Sequence, residues 1–205
     1  MTVSTGTPTA VTQRVCPTGL AGTAFTSPGN VVTAGFASSS IDGLNGYRSQ
    51  RLVLSAFSWD ITIPAGATIN SLSLSALLDA TVSDGVFRMV AQLYNTGAAV
   101  AVGNTLSDFL SVALTGGSPS YYTAGGSVAA WGGSGVLSAA SIRDAANFGI
   151  GLGVDDLDFN ETAGGIDAYA VPVLLVNWSP PSTSIASRFF RNSRLARIDR
   201  RFTRG

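Results

Sequence analysis

Between residues 52 and 93 the chain carries three successive apolar runs with a period of two, and this patterning constrains the fold more than any other feature. In the first run Val53, Phe57, Trp59, Ile61 and Ile63 share one parity, with Ser58, Asp60 and Thr62 between the later members. Pro64-Ala65-Gly66-Ala67 ends it. Proline presets φ and glycine admits positive φ, so this tetrapeptide is a turn. In the second run Leu72, Leu74, Ala76 and Leu78 alternate with Ser71, Ser73 and Ser75, and Asp84-Gly85 supplies the next turn. In the third, Phe87, Met89, Ala91 and Leu93 oppose Arg88 and Gln92. Alternation sends one face of each strand to a core and the other to solvent, which predicts half-buried antiparallel strands. A slip of one residue would expose each apolar face, so the register is firm.

The flanks are less regular. Residues 1–50 are rich in Thr, Ser, Gly and Pro and read as an extended lead-in that partly joins the domain, with one or two short strands near 31–36. Residues 105–114 read as either a short helix or a strand, and 116–135 as a loop carrying Tyr121, Tyr122 and Trp131. Ser138 followed by an alanine-rich stretch predicts one helical turn. Residues 148–154 and 166–178 read as a hairpin around an acidic loop, with Pro172 marking an edge position or a bulge. Seven or eight short strands at this spacing predict an all-β fold, an antiparallel β-sandwich of jelly-roll type, over residues 51–179. Pro180-Pro181 then opens a stiff polar linker to a C-terminal arm, 180–205, expected to be extended or a short helix.

Charge separates this arm from the body. Only 12% of residues are charged, against roughly 25% in an average protein, and all twelve bases are arginine. Before residue 188 five arginines face eleven acids, a net of −6; the last 18 residues hold seven arginines and Asp199, a net of +6. Such asymmetry marks a segment that binds something negative. Cys16 is the sole cysteine, so no intramolecular disulfide forms. The N-terminal residues lack the apolar core of a secretory signal, and the longest apolar stretch, 171–176, is too short to span a bilayer. We therefore expect synthesis in a cytoplasm and no membrane association.

Four segments in order resemble a β-sandwich of tailed-bacteriophage structural proteins: FTSPGNV at 25–31, LSAFSWDITIPAGATINSLSLSALLDA at 54–80, WGGSGVLSAASIRDAANFGIGLGV at 131–154 and GIDAYAVPVLLVNW at 165–178. The second carries the IPxGATI strand–turn signature. The resemblance implies a virion component, on the head, at the neck, or in a baseplate or fibre. The chain is short, lacks a fibrous repeat and carries an anchor-like arm. We therefore expect a head decoration, cement or neck protein that self-associates into a homo-oligomer and contacts other virion proteins, with a tail-fibre or baseplate module binding host carbohydrate as the alternative.

Catalytic equipment is sparse. The chain has no His, hence no imidazole base and no imidazole metal ligand. Cys16 has no His to activate it, and the glycines of GIGLGV at 149–154 fall inside a strand, not a strand-to-helix phosphate loop. We expect no enzyme and no cofactor. Asp156, Asp158, Asn160 and Asp167 echo the alternating oxygen ligands of a calcium loop, but Glu161 stands where that loop needs Gly, which favours a solvated acidic turn. Tyr121, Tyr122 and Trp131 are candidates for sugar stacking, for an interface, or for packing on the domain's own core. The sharpest candidates are in the arm: Arg188, Arg191, Arg194, Arg197, Arg200, Arg201 and Arg204, interleaved with Phe189, Phe190, Leu195, Ile198 and Phe202. Arginine forks pair bidentately with carboxylates, and large apolar groups suit a dry interface, so this composition favours an acidic protein surface over nucleic acid.

Overall fold

The computed structural model describes residues 1–15, 22–33, 37–41, 48–80, 87–105, 113–114, 119–156, 164–168 and 170–182. These residues form β1 (Thr2–Arg14), β2 (Ala37–Ile41), β3 (Arg51–Trp59), β4 (Thr68–Ala80), β5 (Phe87–Asn95), β6 (Val100–Thr105), β7 (Ala113–Leu114), β8 (Ser120–Ser127), β9 (Phe148–Asp156), β10 (Gly164–Ala168) and β11 (Val173–Ser179). A 3-10 turn (Pro28–Val32) and one short helix, α1 (Ala139–Arg143), are the helical elements among them.

Every strand pairing is antiparallel, in the order β8–β4–β11–β1–β3–β9–β5–β6. β10 continues the line of β11 along β4 and carries β2 on its far side, and β7 continues the line of β6 along β5. Strands β4 and β5 stand five places apart in this ladder. Leu72 and Leu74 of β4 nevertheless share one buried cluster with Met89 and Ala91 of β5, so the sheet curls round a single core. The protein is all-β, as its patterning requires.

The alternation holds best in β4, where Leu72, Leu74, Ala76 and Leu78 are buried and Ser71, Ser73 and Ser75 stand half-exposed. Ala67 N–H donates to the Pro64 carbonyl at 3.2 Å, closing the turn before this strand, with Gly66 at φ +76°. At α1 the Ser138 hydroxyl accepts from Ser141 N–H while Ser141 Oγ accepts from Ser138 N–H, a capping box that satisfies two donors otherwise left open at the helix start.

Several expectations are corrected. The extended N-terminal residues join the domain further in than a partial lead-in suggests: β1 is a thirteen-residue strand inside the sheet, between β11 and β3. Its inward residues are small (Ser4, Gly6 and Pro8), so no apolar alternation announces it. Smallness is what the site demands, because a Cβ on Gly6 would lie 2.5 Å from the Trp59 ring. Of the stretch expected as short strands, 31–32 belong to the 3-10 turn with Val31 fully buried, 34–36 lie outside the described residues, and β2 begins at Ala37.

The parity of β3 also switches along its length. Leu52 and Leu54 enter the core, Ala56 takes φ +52°, and Phe57 and Trp59 then pack against that core, which sends Val53 to the opposite face. β5 is buried on both faces, since Val90, Gln92 and Tyr94 are covered as well as Met89, Ala91 and Leu93. The loop expected over 116–135 contains β8, paired with β4.

The hairpin expected from 148–154 and 166–178 does not form. β9 lies between β3 and β5, whereas β10 and β11 pair with β4, so β1 and β3 separate the two segments. The segment 166–178 is not one strand: Pro172 falls in the interruption between β10 and β11 rather than at a bulge within a strand. Ala168 opposes Leu78 and Val173 opposes Ser75 on β4. Proline, having no N–H for the ladder, is tolerated at such an interruption.

Candidate functional site

The outer face of β3, β9 and β5 carries a buried polar cluster that no sequence motif announces. Gly149, Gly151 and Gly153 alternate along β9 and leave a trough on that face. A Cβ on Gly151 would sit 2.5 Å from the Tyr94 ring, and one on Gly153 2.5 Å from Arg51 Cδ. The trough is therefore filled by side chains from the strands on either side. Arg51, 1% exposed, lies along it: Nη2 donates to Asp155 Oδ1 at 3.1 Å and Nη1 to the Ser49 carbonyl at 3.0 Å. Arg88 and Arg48 also approach Asp155, at 3.5 and 3.9 Å.

Three of the body's five arginines thus converge on one carboxylate that is 2% exposed. The backbone reinforces the cluster, because Ser49 N–H donates to the Val154 carbonyl and Ser49 Oγ accepts from Val154 N–H, both at 2.8 Å. Arg51 Nε and Gln92 Oε1 are buried without a hydrogen-bond partner. Chemically the cluster offers a charged tie between strands rather than a nucleophile or base.

The three candidate aromatics part company. Trp131 is fully buried and Tyr122 is 7% exposed, so both belong to the core; Tyr121, 71% exposed, faces outward. Trp131 also ties β4 to β6 across the curl of the sheet. Its Nε1 donates to the Leu72 carbonyl on β4 at 3.0 Å, and its own carbonyl accepts from Asn104 N–H on β6 at 3.3 Å. Gly103, at φ +68°, makes room, since a Cβ there would lie 2.3 Å from the Trp131 carbonyl oxygen. Aromatic loop residues are legible in sequence; that this one is a latch is not, because both its partners are remote backbone groups.

Asp60 performs a similar service at the start of the sheet. Its Oδ1 accepts from Thr5 N–H and Ile61 N–H, each at 2.6 Å, and its N–H donates to the Thr5 carbonyl at 3.0 Å. The Thr5 hydrogen bond first, and the Ile61 bond with it, hold this carboxyl below its usual range despite an opposing desolvation effect. A cleft of about 300 Å³ lies between the β5–β6 hairpin and α1, floored by Leu93, Val102 and Phe148 with Asp144 and Asn147 at its rim. Those two rim groups satisfy each other, Asn147 Nδ2 donating to Asp144 Oδ2 at 2.8 Å.

Of the proposed calcium ligands, Asp158 and Asn160 lie outside the described residues. The backbone puts Asp156 at the end of β9 opposite Phe87, and Asp167 in β10 opposite Asp79, on strands that are not neighbours. Among the described residues no three acidic, Cys or His side chains gather to hold a metal ion. No helix among them is long and apolar enough to cross a membrane. Cys16 and the arm residues 183–205, with all twelve candidate arm side chains, also lie outside the described residues.

No protein-family model and no curated protein matches the chain. Among solved structures, a chain from "Structure of infectious bursal disease virus Gx strain" matches at 16% identity and a TM-score of 0.29. The match covers 88% of this chain and 38% of that one, so this chain spans well under half of its length. A likeness at that TM-score carries no argument here.

Proposed function

We propose that the protein is a structural component of a tailed-phage virion, a self-associating jelly-roll-type β-sandwich held on the particle by its C-terminal arm. The observation that carries this reading is where the fold ends. The buried cluster draws its members from residues 25–178, and Pro180, Pro181 and Ser182 are exposed directly after β11. Seven arginines and three phenylalanines then follow in residues 183–205, beyond the strand that completes the described sheet. A segment of that composition is matched to an acidic, partly apolar protein surface. The phage resemblance of residues 25–178 supports a virion role, and the short chain, the lack of a fibrous repeat and the anchor-like arm favour a head decoration, cement or neck position over a fibre or baseplate.

The alternative carbohydrate-binding role loses support because Tyr122 and Trp131 are taken up by the core, leaving Tyr121 without its partners as a stacking platform. The test is a chain ending at Ser182. It is expected to fold with an unchanged melting profile yet fail to join particles in a complementation assay. Incorporation at the wild-type level would refute anchoring by the arm.

A further inference from the structure

The β6 and β8 margins of the sheet are finished differently. At one margin β6 is short, slips register against β5 between Gln92 and Leu93, turns through Gly103, and has its outer edge engaged by the Trp131 carbonyl. These are the devices by which natural sheets discourage edge-to-edge pairing. At the other margin β8 has none of them. Its ladder with β4 runs without a break from Ser120↔Leu78 to Ser127↔Ser71. Its sequence, SYYTAGGS, holds no charge and no proline. Ser120, Tyr121, Thr123 and Ser127 are exposed, and among the described residues β4 is the strand to which β8 is hydrogen-bonded. The N–H and C=O groups that point away from β4 are a template for one more strand.

We infer that two copies of the chain pair through their β8 strands, antiparallel about a two-fold axis at Thr123, so that two sheets become one. A two-fold axis normal to the sheet requires residues of equal parity to face each other, and the side chains of β8 favour one such register. Centred on Thr123, it sets Tyr121 opposite the partner's Gly125 and Tyr122 opposite the partner's Ala124, a large residue against a small one at each place. An aromatic lying across an edge glycine is a favourable cross-strand pair. Centring on Tyr122 would instead confront two buried tyrosines. The occupant is a second copy because the edge is neutral: identical strands meet without like-charge repulsion, and the flanking outward positions of β4, Ser71, Ser73 and Ser75, are uncharged too. One eight-residue edge falls short of the roughly 800 Å² per partner that a free-standing stable complex buries, so the pairing is weak in solution and strengthens where copies are held side by side.

This inference gives the self-association in the proposed function a surface, and its test leaves the arm untouched. Sedimentation velocity of the full chain is expected to show a concentration-dependent monomer–dimer equilibrium. Thr123→Lys sets two lysines face to face and is expected to abolish it, as is Thr123→Glu. An equimolar mixture of the two variants restores pairing, about tenfold or more tighter than either alone. Thr123 is exposed, so melting profiles should be unchanged and loss of pairing will not reflect unfolding. A wild-type chain that stays monomeric at all concentrations, a Thr123→Lys chain that dimerises like wild type, or a mixture no better than its components would each overturn the pairing. None of these results would bear on whether the arm anchors the protein.

Discussion

Replacing Asp155 by Asn removes the one carboxylate that Arg48, Arg51 and Arg88 share while keeping its size and shape. The consequence follows from burial. The Arg51 and Asp155 side chains are 2% and 3% exposed, so Arg51 keeps its charge in a water-poor environment with its counter-ion gone. Breaking a buried pair in this way costs about 3–5 kcal/mol, much more than the pair contributes when both members are present. Against a typical total of roughly 5–15 kcal/mol, that is a large share. At about 2–4 °C per kcal/mol for a chain of this length, the melting midpoint is expected to fall by roughly 6–20 °C. Urea unfolding provides the measurement: the midpoint should drop with no change in slope, which separates lost stability from a change in compactness. The double variant Arg51→Met/Asp155→Leu should recover most of the loss, because an apolar pair of similar volume needs no desolvated charge. It also removes the unpartnered Arg51 Nε. An Asp155→Asn chain within about 1 kcal/mol of wild type would show that the cluster is well hydrated and would refute this account.

Gly151→Ala places a methyl group against the Tyr94 ring and is expected to destabilise by about 1–3 kcal/mol, read in the same urea assay; a neutral effect would mean the trough is not tightly filled. Trp131→Phe keeps most of the apolar contact but leaves the Leu72 carbonyl without its donor, at a cost of about 1–3 kcal/mol. It should also speed hydrogen exchange at Asn104, whose N–H the same residue's backbone engages, and unchanged exchange there would sink the latch. For Asp60 the folded carboxyl titrates below its unfolded counterpart, so its contribution is present above the unfolded pKa, about 4, and is lost as pH falls through the folded value. Asp60→Asn should flatten that part of the stability–pH profile, and an unaltered slope would show that the Thr5 and Ile61 hydrogen bonds contribute nothing.

What the sequence discloses and what it hides divide along a physical line. β4 is legible because its apolar and serine residues alternate over the whole strand, and α1 is legible because a serine cap is a local signal. β1 is hidden because its buried positions are Ser4, Gly6 and Pro8, and the reason for Gly6 is Trp59, on a strand more than fifty residues away. Gly149, Gly151 and Gly153 are visible as a pattern, yet their purpose depends on Tyr94 and Arg51 arriving from two other strands. The Asp155 cluster is invisible for the same reason: Arg48, Arg51 and Arg88 look like ordinary surface charges until the ladder gathers them. Local chemistry writes the elements, and contacts between remote residues decide which of them meet.

The position of β1 has a consequence for how the chain is made. Its first residues pair with the last strand of the sheet, Thr2 opposite Trp178, while its later residues pair with β3. In synthesis β1 therefore gains one neighbour early and the other only once residues up to 178 have been made. Until then Ser4 Oγ has no Trp178 Nε1 to accept from, a contact of 2.8 Å in the finished fold. Contacts so distant in sequence are slow to close, because the loop entropy must be met before they contribute. β11 lies directly before Pro180, Pro181 and the arginine-rich residues that follow, so synthesis delivers that cationic segment after every described strand of the sheet.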